Sequence, residues 1–173
     1  MTSVFIERNT GGWLLALKFD KEKITRLSSE IFNAIKRLKE LAELPKDDFL
    51  TNPHLVASAK YFLVASIEGY LDMCYHLISK NRFRVPEDYA DTFRVMGEEG
   101  IFDKEFVNRL VEMAKFRNRL VHIYWDVDDK MVYEILRKDI QDIEEFIEKF
   151  MKALNFGAKN ENHRFFLFRV SKL

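Results

Sequence analysis

The chain has 173 residues, enough for one domain with a sizeable core, and 47% of them are hydrophobic, which places it among globular proteins. Lys+Arg and Asp+Glu number 28 each, so no global basic field marks a nucleic-acid partner, and any contact with RNA must come from a local patch. The single cysteine, Cys74, rules out an intramolecular disulfide and suits a reducing cytoplasm. No apolar run reaches the ~18 residues of a membrane span, so no membrane is expected as a partner. Residues 1–20 carry Glu7, Arg8 and Gly11-Gly12 and do not read as a secretory leader.

Residues 3–8 and 13–19 are short, aromatic and β-branched or leucine-rich, and Asn9-Thr10-Gly11-Gly12 separates them. That pattern predicts a hairpin, with the glycines supplying positive φ; the alternative is a leader with no function. From Asp20 the apolar residues Ile24, Leu27, Ile31, Ala34, Leu38 and Leu41 recur in steps of three and four, the seam of a bundle helix that Pro45 ends. Asp20 lacks a glutamate three residues on, so no capping box fixes the start. Asn52-Pro53 predicts the next helix start, with Asn as N-cap and Pro at the first helical position. Its buried face is marked by Val56, Leu63, Ile67, Leu71, Cys74 and Ile78 and runs to about Lys80.

His54 and His76 on that helix are too far apart to share a metal and read as surface or bundle-lining residues. Lys80, Arg82 and Arg84 around Phe83 are either a solvated loop or a patch facing RNA. Pro86 is expected to start a short helix through Met96, with Tyr89, Phe93 and Met96 inward. Asp103 then caps a long helix on which Phe106, Leu110, Met113, Arg117, Val121 and Tyr124 share a face. Asp126, Asp128 and Asp129 lack the glycine and terminal glutamate of a calcium loop and read as a turn and helix caps; no metal or cofactor is expected. A last helix, from Met131 or Asp139 to Leu154, carries Leu136, Ile140, Ile143, Ile147, Phe150 and Leu154, and Gly157 stops it. Residues 163–170 are aromatic and basic, suited to a strand or an arm onto a partner. The expected fold is all-α: an antiparallel four-helix bundle over 20–155 with an extra short helix. Residues 1–19 and 156–173 are extensions with β character.

The informative stretch is Arg117-Asn118-Arg119-Leu120-Val121-His122-Ile123-Tyr124. An arginine within an apolar stripe needs an acceptor, a subunit interface or a wet cleft, because a buried unpaired guanidinium is costly. Arginine forks onto phosphate oxygens, histidine exchanges protons near neutral pH, and a tyrosine hydroxyl can carry a nucleotidyl group. On an ideal helix, positions 117 and 122 lie about 140° apart and 118 and 122 about 40° apart. One motif therefore does not converge on one phosphate unless the helix distorts near its end or a two-fold dimer brings two copies together.

Arg-x4-His-x-Tyr with Asn118 after the arginine resembles the HepT family of the HEPN superfamily. The similarity extends from about residue 19 to 155 through Pro53-His54-Leu55, Pro86-Glu87-Asp88-Tyr89-Ala90 and Val132-Tyr133-Glu134-Ile135-Leu136. Those proteins are small helical toxins accompanied by a minimal nucleotidyltransferase antitoxin of the MntA type, which modifies their tyrosine. The resemblance implies a cytoplasmic homodimer with a composite cleft, cutting RNA without a metal. Arg117 and His122 would be the catalytic pair, with Asn118 orienting His122 or holding a phosphate oxygen. Tyr124 would be the acceptor whose nucleotidylylation (AMPylation) neutralises the toxin. A second reading remains open: a non-catalytic helical binding or acceptor subunit of a nucleotidyltransferase complex, in which Arg117 and His122 position a nucleotide.

Overall fold

In the computed structural model, which describes residues 5–7, 13–15, 17–122 and 127–154, two short strands precede a helical bundle. Strands β1 (Phe5–Glu7) and β2 (Trp13–Leu15) pair antiparallel, Phe5 opposite Leu15 and Glu7 opposite Trp13. They join the two segments expected to form a hairpin. Residues 156–173, expected to form a strand or an arm, lie outside the described residues.

Helix α1 (Lys21–Ala42) starts without a capping box because Asp20 suffices, its Oδ1 accepting from the Lys23 N–H at 3.0 Å. All six residues of the expected seam are buried. Pro45 ends α1 and also opens a short helix, α2 (Lys46–Thr51), which the periodicity does not announce. Its fixed φ of −57° suits a helix start, and Phe49, fully buried, anchors the turn. Helix α3 (Pro53–Asn81) begins as predicted, Asn52 Oδ1 accepting from the His54 N–H at 3.0 Å. It ends at Arg82, in the left-handed region at φ 57°. Midway along α3, a Cβ on Gly69 would lie 2.6 Å from Ile31 Cγ1 of α1, so only glycine permits this approach of the two helices.

Helix α4 (Tyr89–Glu98) starts three residues later than Pro86, the expected first residue. The cap explains the shift: Asp88 accepts from the Asp91 N–H at 2.7 Å, which leaves Pro86 in the preceding turn. Gly100, at φ 70°, turns the chain into α5 (Lys104–His122), and Asp103 Oδ1 accepts from the Phe106 N–H at 2.9 Å. The last helix is two segments, α6 (Asp129–Lys138) and α7 (Ile140–Ala153), meeting at Asp139.

Helices α1, α3, α5 and the α6–α7 pair form the antiparallel bundle, with α2 and α4 as inserts. At its centre Tyr70 stacks on Phe146 with ring centroids 4.0 Å apart and donates to the Ile143 carbonyl at 2.7 Å. Each such fully buried aromatic contributes about 1.5–3 kcal/mol of hydrophobic stabilisation. Among the described residues no helix is long and apolar enough to cross a membrane.

Candidate active site

Helix α5 presents Arg117 inward, Asn118 at the margin and His122 outward. Arg117 is 9% exposed, and the structure supplies the acceptor its burial requires. Nε donates to Glu68 Oε1 of α3 at 2.6 Å, and Nη2 donates to the same oxygen. Nη1 donates to Asn118 Oδ1 at 3.1 Å. The guanidinium lies over the Tyr89 ring of α4, 4.7 Å from its centroid. Three helices thus hold one side chain. A guanidinium has five N–H donors. These contacts engage one on each nitrogen, so Nη1 and Nη2 each retain one donor without a partner among the described residues.

His122 is the last residue of α5 and is exposed. The helix is regular from Arg117 through His122, so within one chain the two side chains leave its axis about 140° apart, as on an ideal helix. Asn118 accepts from Arg117 through its carbonyl oxygen, and its amide nitrogen has no partner among the described residues. Val121, expected on the inward face, is 44% exposed and Leu120 is buried in its place. Tyr124 lies outside the described residues.

Of the other sequence candidates, His76, Arg84, Asp128 and Asp129 take structural roles, whereas His54, Lys80 and Arg82 are exposed. His76 is buried, and its Nε2 accepts from the Asp20 N–H at 2.8 Å, fixing the start of α1 to α3. Desolvation, followed by Lys23 and Lys80, lowers its pKa against the opposing pull of Asp20. His54 is exposed. Of the three cations around Phe83, Arg84 is clamped by Asp91, at 2.6 and 3.1 Å, and by Glu98, at 3.0 and 2.9 Å. Its guanidinium holds the Asp91 carboxyl down at about 2. Lys80 and Arg82 remain exposed. Asp128 caps α6, and Asp129 pairs with the buried Lys60 at 2.8 Å. No group of three or more His, Cys, Asp or Glu side chains is placed to hold a metal among the described residues.

Sequence reasoning missed two members of the site. Glu68 is one of only two acids between Phe62 and Ile78, the other being Asp72, and an acid inside so apolar a run was the available signal. Tyr89 was assigned to packing, with nothing to indicate that its ring would lie against Arg117. Glu68 also borders a groove of about 450 Å³ between α1 and α3, which Glu30, Arg37, Tyr61, Phe62 and Asp72 line with it.

Comparison with known proteins converges on one group. The sequence profile described as Ribonuclease HepT-like matches residues 31–150. A provisionally named RNase of Archaeoglobus fulgidus is 32% identical over 119 residues, covering 65% of this chain and 88% of its own. The mRNA nuclease HepT of Shewanella oneidensis is 22% identical over 103 residues, covering 60% and 74%. Among solved structures, the tri-AMPylated Shewanella oneidensis HEPN toxin in complex with its MNT antitoxin superposes with a TM-score of 0.71 at 20% identity. That match covers 77% of this chain and 99% of the toxin. A toxin–antitoxin structure with AMP-PNP gives a TM-score of 0.72 at 20% identity, over 76% and 99%.

Proposed function

Because the chain belongs to the Ribonuclease HepT-like family, we propose that it is the toxin of a HepT/MntA-type toxin–antitoxin pair, a metal-independent endoribonuclease working through Arg117 and His122. The observation that carries this is the state of Arg117: a buried guanidinium fixed on three sides, with a donor on each terminal nitrogen that has no partner among the described residues. A guanidinium set up in this way suits the charge that builds on a phosphorus under attack. His122, exposed and one turn beyond Asn118, is reachable by substrate.

In the proposed step an imidazole takes the proton of the ribose 2′-hydroxyl, and the 2′-oxygen forms a bond to phosphorus. The bond from phosphorus to the 5′-oxygen breaks, and that oxygen leaves with a proton from an acid. Arg117 stabilises the pentavalent centre, and the products are a 2′,3′-cyclic phosphate and a 5′-hydroxyl. In a symmetric dimer the second His122 supplies the acid, which answers the poor convergence of a single regular helix. Val121, exposed at the end of α5, and Tyr61, 67% exposed on the α3 face that bears Glu68, are apolar surface that a second copy would cover.

Control by the antitoxin follows the same geometry. The Tyr124 hydroxyl would attack the α-phosphorus of ATP in the nucleotidyltransferase partner. Pyrophosphate leaves and the phenolic proton passes to a base of the partner. An added AMP places bulk and negative charge where RNA phosphate must sit. Residues 20–155 constitute the functional bundle in this proposal, 1–19 and 156–173 are extensions, and the working compartment is the cytoplasm. The second reading, a non-catalytic acceptor subunit, keeps Tyr124 and the partner but assigns no cleavage. An oligodeoxynucleotide with one internal ribonucleotide separates the two. Nuclease action cuts only on the 3′ side of that ribose, because only there is a 2′-hydroxyl present. Cutting of an all-DNA strand, or no cutting of any RNA, contradicts the proposal.

A further inference from the structure

The Arg117 guanidinium is oriented by a carboxylate from another helix before any substrate arrives. Nε and Nη2 both donate to the single oxygen Oε1 of Glu68, which fixes one edge of the guanidinium plane. Asn118 takes one Nη1 donor and the Tyr89 ring covers one face. Rotation about the long side chain is thereby stopped on three sides, and the uncommitted donors sit on the two terminal nitrogens, the pair that binds a phosphate bidentately. We propose that Glu68 is a positioning residue for RNA cleavage, aiming the two free donors of Arg117 at the scissile phosphate. This rests on the role given to Arg117 above. Glu68 is not placed to be the general base through Oε1, since that oxygen is committed to Arg117.

The electrostatics give the proposal a distinctive signature. A carboxylate beside a phosphate site repels RNA, so if Glu68 contributed only charge, its removal would tighten binding and leave turnover unchanged. A positioning role predicts the opposite partition. Preorganised geometry acts on the chemical step, so turnover falls while KM is unchanged or lower. Next to Glu68, Gly69 lets α1 approach the α3 backbone closely, since a Cβ there would lie 2.6 Å from Ile31 Cγ1.

The test uses the full chain with Glu68→Gln, Glu68→Asp, Glu68→Ala and Arg117→Ala, each checked for folding by circular dichroism, on an unstructured RNA oligonucleotide. Glu68→Gln keeps an acceptor oxygen in place and is expected to retain kcat within about threefold. Glu68→Asp keeps the charge but withdraws the oxygen by one methylene, and Glu68→Ala removes it. Each should lose at least about tenfold in kcat with no rise in KM. Glu68→Asp carries the test if Glu68→Ala does not fold. The Glu68→Ala/Arg117→Ala pair should be no slower than Arg117→Ala alone, because Glu68 acts only through that side chain. Parental kcat in Glu68→Asp and Glu68→Ala, with Arg117→Ala inactive, overturns the positioning role alone. Parental kcat in Arg117→Ala overturns the catalytic role of Arg117, and the role of Glu68 with it.

Discussion

Arg117 and His122 carry the proposed chemistry, yet replacing them by alanine should affect the fold very differently. Arg117→Ala deletes three hydrogen bonds and a cation–π contact from a residue that is 9% exposed. The contact with Tyr89 contributes about 0.5–1 kcal/mol. The charged bonds to Glu68 contribute about 1.5–3 kcal/mol, near the lower end because the Glu68 side chain is 37% exposed and water can replace the arginine there. The expected loss is about 2–3 kcal/mol, which lowers Tm by about 4–12 °C in a chain of this size. His122 is exposed at a helix end, so His122→Ala should stay within about 0.5 kcal/mol of the parent. Urea denaturation followed by far-ultraviolet circular dichroism measures both. Equal midpoints for Arg117→Ala and the parent would refute the buried pair. A large loss in His122→Ala would refute the exposed position of that histidine. Activity of Arg117→Ala therefore has to be assayed well below its own transition.

Three further outcomes are expected. His76 accepts a hydrogen bond at Nε2 and must be neutral to do so, and its pKa is lowered in the fold. Its contribution is therefore present above the ordinary histidine value of about 6.5 and lost as pH falls through that value toward the lowered one; the protection of the Asp20 amide, its exchange taken against the intrinsic rate at each pH, should fall in that window and stay flat if the bond is absent. Intact-mass measurement after incubation with the nucleotidyltransferase partner and ATP-Mg²⁺ should show AMP-sized additions on the parent and none on Tyr124→Phe. Additions that persist in the variant would move the acceptor, and not to Tyr133, whose hydroxyl is bonded to the Leu44 carbonyl at 2.9 Å in a residue only 8% exposed. Light scattering at micromolar concentration should give a dimer mass, and a monomer would remove the composite cleft.

The bundle was legible because its signals are local and periodic. The seam of α1, the Asn52-Pro53 start of α3 and the apolar residues of α7 follow from helical spacing and capping chemistry. The two inserts were harder. Helix α2 is too short to show a period, and α4 begins at a cap, Asp88, that competes with the stronger-looking Pro86 signal. At Asp139 the sequence left the start of the last helix open between Met131 and Asp139, because the apolar spacing continues across the break that separates α6 from α7. At the site, Arg117 announced itself as a charge within an apolar stripe, whereas its partner Glu68 is 49 residues away in sequence. Pairing over that separation depends on the packing of α3 against α5, which no local pattern encodes. Val121 follows the same logic in reverse: its spacing points inward, but it lies at the end of α5 and is left exposed.

Cleavage of RNA by the purified chain in excess EDTA, with His122→Ala run beside the parent, tests the central claim most directly. The account predicts fragments ending in 2′,3′-cyclic phosphate from the parent, and a rate at least about a hundredfold lower from a His122→Ala protein that melts with the parent. Cleavage by His122→Ala at the parental rate, or parental cleavage that vanishes in EDTA and returns with a divalent ion, would contradict it.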